Sequence, residues 1–130
     1  MRAGMRVTMV VLALALVATL VPVAVAGGTI RRIALQGSAA FPAANGKAVY
    51  KVDGGERELQ IEVEDIRRLA GKRVNVFVNG NKIGSPRVSS LGEARVERNT
   101  DAGQSVPRIT NGSPVRVRTQ GGTLIASGRF

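Results

Sequence analysis

The chain has 130 residues, contains neither cysteine nor histidine, and carries 19 Lys and Arg against nine Asp and Glu, a net charge of +10. The two missing residue types exclude disulfides, the usual zinc sites, and catalysis by Ser-His-Asp or Cys-His groups. We therefore predict no enzymatic activity, no cofactor and no metal. The positive charge favours anionic partners, with solubility alone as the alternative explanation.

The first 26 residues predict a secretory signal peptide. Arg2 and Arg6 form a basic start, and an apolar run follows over residues 7–21 until Pro22 interrupts it. A basic segment, an apolar segment and a small-residue cleavage site in this order are typical of export signals. We therefore expect a secreted or extracytoplasmic protein, located in the periplasm, the cell wall or the medium.

Cleavage is predicted after Ala26, because Ala24 and Ala26 supply the small-x-small pattern before Gly27. A retained membrane anchor is the alternative, since no charge occurs between Arg6 and Arg31. A spanning helix needs about 20 apolar residues, and a proline and two glycines interrupt this run. The protein is therefore expected to contact the membrane only if the segment stays uncleaved.

Residues 27–130 are predicted to form one domain. Removal of 26 of the 130 residues leaves 104, with 17 Lys and Arg against nine Asp and Glu and hence a charge of +8. Short apolar–polar alternation punctuated by glycines runs through this part, and no stretch has the 3.6-residue period of a helix. This pattern predicts an all-β domain of about seven to eight short antiparallel strands, either a small β-sandwich or a partly open barrel.

The first predicted hairpin joins strands Lys47–Val52 and Arg57–Val63 through a turn at Gly54-Gly55. A two-residue glycine loop favours a tight hairpin turn, which determines the register of the two strands. In that register apolar residues meet on one face and lysines meet glutamates on the other. The predicted pairs are Lys51–Glu58, Tyr50–Leu59, Ala48–Ile61 and Lys47–Glu62.

The second predicted hairpin joins Arg73–Val78 and Asn81–Val88 through Asn79-Gly80, a strong hairpin signal between apolar runs. Alternate valines share one face, so Phe77 points the other way, and we expect a second sheet to cover it. Pro86 indicates that the returning strand lies at an edge or ends there.

The third predicted hairpin joins Val115–Thr119 and Thr123–Arg129 through Gly121-Gly122. Its register pairs Val117 with Ala126 and places Ile125 and Ser127 on the opposite face. That face also carries three arginines, which therefore form one basic patch: Arg116, Arg118 and Arg129.

The remaining segments are assigned from the same patterns. Strands are predicted at Thr29–Gln36, Ser38–Phe41 and Glu93–Arg98, one helical turn at Ile66–Leu69, and a long loop at Asn99–Asn111.

Residues 57–130 consist largely of turn glycines and alternating valines, with VNVFVNG at 74–80, VRV at 115–117 and LIASGRF at 124–130. This part of the chain resembles a loose group of small exported bacterial β-domain proteins of unknown function. The resemblance implies export and a β-domain, and it carries no catalytic residue to transfer.

Two charged clusters are candidate sites. Six carboxylates lie within residues 53–65, where they are expected to form an exposed strand face opposite lysines; a calcium site and a hydrolase using carboxylates alone are the alternatives. The second cluster, Arg116, Arg118 and Arg129, is the predicted polyanion-binding site, with a solvated sheet face as the alternative. The mature chain has four aromatic residues and no Trp, which disfavours single-strand nucleic-acid binding and sugar stacking.

These observations predict an exported non-enzymatic β-domain that acts as a structural, adhesion or interaction module at the cell envelope or outside the cell. A basic module that binds an anionic cell-wall polymer or polysaccharide is the first alternative. Self-assembly through the acidic hairpin and the basic surface is another, as is the carboxylate hydrolase. The expected partners are accordingly an anionic envelope polymer or another exported protein, and not a specific nucleic-acid sequence.

Overall fold

A computed structural model describes residues 28–130, so the predicted signal peptide and its cleavage site at Ala24, Ala26 and Gly27 lie outside the described residues. Single turns of 3-10 helix lie at Arg67–Leu69 and Thr100–Ala102. No helix between residues 28 and 130 has the length and apolar character needed to cross a membrane. The strands are β1 (Gly28–Gly37), β2 (Asn45–Asp53), β3 (Glu56–Glu64), β4 (Val74–Val78), β5 (Asn81–Gly84), β6 (Ala94–Asn99), β7 (Pro114–Thr119) and β8 (Leu124–Arg129).

The eight strands form one antiparallel sheet in the order β5-β4-β7-β8-β1-β2-β3-β6. The sheet curls until its two edge strands, β5 and β6, approach each other, which gives a nearly closed barrel. The all-β prediction is thus confirmed, and of the two predicted architectures the structure has the barrel-like one.

Alternate residues of the strands point into the barrel and form one hydrophobic core. Val74, Val76 and Val78 of β4 share one face, as predicted, and all three are buried; β3 contributes Leu59 and Ile61. This alternation explains the strands themselves, because each has one apolar face to bury and one polar face to hydrate.

The predicted register of the first hairpin is confirmed residue by residue, with the pairs Lys51–Glu58, Tyr50–Leu59, Ala48–Ile61 and Lys47–Glu62. The lysines and glutamates face each other on the outer side without approaching to ion-pair distance. Within the described residues the one ion pair joins Arg95 and Glu97, whose Nη2 and Oε2 atoms are 3.3 Å apart.

The third hairpin differs from its predicted register near the turn. Val117 lies opposite Ala126 as predicted, but Arg118 lies opposite Leu124, so that β8 has one extra residue. This residue is Ile125, which is fully buried. The prediction that Ile125 shares the arginine face was therefore wrong, because the bulge turns its side chain into the core.

Three further predictions need correction. Ser38–Phe41 is not a strand: the Ser38 hydroxyl donates to the Leu124 carbonyl, and Phe41 is buried at the end of the barrel. The strand predicted to reach Val88 ends at Gly84. No second sheet covers Phe77 within the described part of the chain, and its half-buried side chain lies on the outer face.

Side chains close the barrel between β5 and β6, a junction that we call the closed seam. The Arg98 guanidinium donates two hydrogen bonds to the Ile83 carbonyl, from Nε at 3.1 Å and from Nη2 at 2.7 Å. Beside it, a Cβ atom on Gly84 would lie 2.9 Å from Cγ2 of Val96. The glycine therefore allows the two edge strands to approach without backbone pairing.

The junction between β8 and β1, which we call the open seam, is different. β1 pairs with β2 along nine residues, but with β8 only at Gln36 and Gly37. The strands remain close at Gly128, where an added Cβ would lie 2.7 Å from the Ala34 carbonyl oxygen. No further residues of β8 pair with β1, and the Phe130 ring lies against Tyr50 and beneath the Arg31 guanidinium.

Candidate functional site

A groove of about 600 Å³ crosses the outer face of β7, β8 and β1 above the open seam. We call it the arginine groove. Its lining includes Arg116 of β7, Ser127 and Arg129 of β8, and Gln36 of β1. All four point outward because their neighbours in sequence point into the core.

Arg116 lies at the centre of this region. It is opposite Ser127 on one side and opposite Phe77 of β4 on the other. Its side chain is half-buried, and its guanidinium donates no hydrogen bond to any residue between 28 and 130. A guanidinium has five N–H donors, so the groove contains a cation whose hydrogen-bonding capacity is unused within the described structure.

The other two predicted residues are placed differently from each other. Arg129 lines the groove and donates from Nη1 to the Gly112 carbonyl at 3.1 Å, which orients the side chain; its other donors have no partner among residues 28–130. Arg118 lies on the same face, but its Nη1 donates to the Gly122 carbonyl at the hairpin tip, and it does not line the groove. The structure thus brings Arg116 and Arg129 together and leaves Arg118 beside them.

Basic and acidic residues lie on different parts of the barrel, and the groove lies on the basic part. The strands β5, β4, β7, β8 and β1 are consecutive in the sheet, and none of them contains an acidic residue. We call them the acid-free arc. β3 and β6, by contrast, carry five acidic residues. The basic residues of the acid-free arc are Lys82, Arg116, Arg118, Arg129, Arg31 and Arg32.

The acidic cluster predicted within residues 53–65 lies on the other side of the barrel. A side-chain hydrogen bond with Glu62 raises the pKa of Glu64, and burial and the nearby charges of Glu62, Glu93 and Asp65 raise this pKa further. No group of three or more acidic side chains in the described residues has an arrangement suited to a metal ion. The negative charges of Glu62, Glu93 and Asp65 thus oppose ionisation of the Glu64 carboxyl.

Most other arginines donate to backbone carbonyl groups. Arg57 donates to Val106, Arg73 donates to Ser85, and Arg87 donates to Gly71. The Arg68 guanidinium lies 3.9 Å from the centre of the Phe41 ring and donates to Ala40. These contacts hold loops onto the barrel, so these side chains are occupied in a way that Arg116 is not.

Gln36 was not predicted as a groove residue, whereas Ser127 was placed correctly on the arginine face. The arginine pair could be found from one hairpin, whereas Gln36 reaches the groove through the pairing of β1 with β8, which are about 90 residues apart in the chain. An amide next to a predicted turn gives no signal for such a contact.

Comparison of the chain with protein-family models, with curated proteins and with solved structures gives no match. The resemblance to small exported bacterial proteins therefore stays a prediction, and the functional proposal rests on the geometry of the groove.

Proposed function

We propose that this protein is an exported, non-enzymatic binding module whose arginine groove holds an anionic polymer of the cell envelope. The observation that carries the proposal is Arg116, a half-buried guanidinium without a hydrogen-bond partner among residues 28–130, set in a groove within the acid-free arc. Arg129 shares the same groove and is oriented by Gly112.

The chemistry of the groove suits repeated phosphate or carboxylate groups. A guanidinium binds either group through two parallel hydrogen bonds, and the absence of acids on five consecutive strands leaves its attraction for anions unopposed. Gln36 and Ser127 add an amide and a hydroxyl, which suit the hydroxyl groups of a sugar or polyol unit. The poverty in aromatic residues is consistent with recognition by charge and not by stacking.

The barrel supports this role by holding the arginines still. Arg116 lies between Val115 and Val117, both of which are fully buried, so the backbone of β7 is fixed by the core on both sides of the cation. A binding side chain loses less conformational entropy on a rigid strand than on a mobile loop.

Binding to polyanion resins tests the proposal. The double variant Arg116→Gln/Arg129→Gln should elute from a teichoic-acid resin at clearly lower salt than the wild type. Its affinity should be reduced about thirtyfold, since each of the two lost charge-assisted contacts contributes on the order of 1 kcal/mol. The purified exported protein is the material for this measurement.

The matched control is Lys47→Gln/Lys51→Gln, which removes two positive charges from the outer face of β2. It should elute close to the wild type. Equal losses in the two double variants would show that net charge alone causes retention, and this would contradict the proposed groove.

Export itself has a separate test. We propose cleavage after Ala26, so N-terminal sequencing of the protein from the extracytoplasmic fraction should begin at Gly27. A chain that begins at Met1 and stays with the membrane would contradict cleavage and support a retained anchor.

A further inference from the structure

The backbone of β1 has an open side. Its pairing with β2 extends from Gly28 to Gln36, but β8 pairs only with Gln36 and Gly37. If the pairing of β8 with β1 continued in the same register, Phe130 would lie opposite Ile33. The described residues therefore supply no strand partner for Ile30 or Arg32 on this side. Two extended residues therefore face the open seam without a neighbouring strand.

The direction of the peptide groups follows from two contacts. The Ser38 N–H donates to the Ile125 carbonyl of β8, and the Ala34 carbonyl oxygen points at Gly128. In an antiparallel strand alternate residues direct both backbone groups to the same side. Ile30 and Arg32 share this parity, so their N–H and C=O groups point away from β2 and into the open seam.

The rest of the sheet is protected against strand addition. The two outermost strands, β5 and β6, meet at the closed seam, where Arg98 and Val96 cover the junction. Unpaired strand edges that nothing covers bind extended chains, and charge on such an edge repels chains of the same sign; β1 is exposed at Arg32 and Ala34. The edge of β1 is therefore the place in the described structure where another strand fits.

We propose that this edge binds an extended acidic peptide of a partner protein as an added β-strand. Charge complementarity selects the acidic partner, because β1 carries Arg31 and Arg32 and lies in the acid-free arc. A second copy is disfavoured, since antiparallel pairing of two β1 strands brings these arginines opposite each other. This site uses backbone groups, so it goes beyond the polymer groove and does not depend on it.

Amide hydrogen exchange of the purified exported protein, followed by NMR, tests the proposal directly. In the free protein at low concentration the Ile30 and Arg32 amides should exchange at least tenfold faster than those of Arg31 and Ile33, which point to β2. A saturating amount of the peptide acetyl-Thr-Glu-Val-Glu-Val-Glu-Thr-amide should slow the Ile30 and Arg32 amides at least tenfold. The control peptide carries N-methyl groups on two adjacent central residues, which keeps its charge and blocks its backbone pairing.

A variant pair supplies a second readout. Ile30→Pro removes the N–H on the open side and keeps every charge, so it should weaken peptide affinity about tenfold, whereas Ile30→Val should stay within twofold of the wild type. If Ile30→Pro fails to fold, the N-methylated peptide still decides the question.

Three results overturn the inference. The first is slow exchange of the Ile30 and Arg32 amides in dilute free protein, which would mean that the chain covers its own edge. The second is equal protection by both peptides, or protection by neither. The third is protection that rises with protein concentration alone, which would assign the edge to a second copy. If the peptides give no protection while the polymer resin still retains the protein, only this inference fails and the polymer groove stands.

Discussion

The closed seam and the open seam are the two places where the barrel lacks a continuous backbone ladder, and arginine serves a different purpose at each. At the closed seam Arg98 points inward, and its guanidinium is bound to the Ile83 carbonyl of the facing strand. At the open seam Arg116 and Arg129 point outward into the groove, and Arg116 has no hydrogen-bond partner among residues 28–130.

The difference lies in strand parity. An inward arginine near a strand end is partly desolvated and finds a backbone carbonyl, so it joins two strands in place of a ladder bond. An outward arginine on a rigid strand keeps its donors for an external anion. Whether an arginine points into the barrel or away from it thus separates the structural arginines from the candidate binding arginines.

The largest expected effect is that of a methyl group added at Gly128 in the open seam, compared with one added at Gly84 in the closed seam. Gly128→Ala places a methyl group 2.7 Å from the Ala34 carbonyl oxygen, a backbone atom that cannot turn aside, so we expect a loss of about 3 kcal/mol in the free energy of unfolding. Gly84→Ala meets a Val96 methyl at 2.9 Å and should cost about 1 kcal/mol. Urea unfolding measures both. A larger loss of stability in Gly84→Ala than in Gly128→Ala would contradict this difference between the two seams.

An effect smaller than that of Gly128→Ala is expected for Arg98→Met, which removes both hydrogen bonds to Ile83 and keeps much of the side-chain volume. The buried carbonyl then lacks its donor, so the free energy of unfolding should fall by about 2 kcal/mol. Arg95→Met is the control: Arg95 lies on the same strand in an exposed ion pair and should change stability by less than about 0.5 kcal/mol. Equal effects in thermal unfolding would show that Arg98 does not close the seam.

The smallest effect concerns Glu64, the last residue of β3. Because its pKa is raised above the ordinary value of 4.5, the folded state holds the proton more tightly than the unfolded state. Stability contributed by the protonated carboxyl is complete below pH 4.5 and is lost as the pH rises through the folded pKa. Glu64→Gln should therefore raise the melting temperature slightly at pH 7 and leave it unchanged at pH 3. A lower melting temperature at pH 7 would contradict the repulsion between these carboxylates.

Local signals in the sequence were sufficient to locate the three hairpins, and for the first hairpin they were also sufficient for the whole register. The β2–β3 register followed from a two-residue glycine turn and from matching apolar pairs such as Tyr50 and Leu59. The bulge at Ile125 was not predicted, because no residue type in β8 distinguishes a bulged strand from a regular one. Ser38–Phe41 was assigned as a strand from its apolar residues, although tertiary contacts of Ser38 with β8 hold it in turns.

Long-range pairing could not be predicted. The order of the sheet places β6 beside β3 and β4 beside β7, and no local pattern specifies these neighbours. The candidate site divides in the same way: Arg116 and Arg129 were found from one hairpin, while Gln36 and the groove itself depend on the contact between β8 and β1.

The central claim is that the arginine groove holds an anionic polymer, and the salt dependence of binding to soluble teichoic acid tests it most directly. A plot of log K against log salt concentration should be shallower by about one to two units for Arg116→Gln/Arg129→Gln than for the wild type, because fewer counterions are released. The Lys47→Gln/Lys51→Gln control should keep the wild-type slope. Identical slopes and affinities for the wild type and the groove variant would contradict the account.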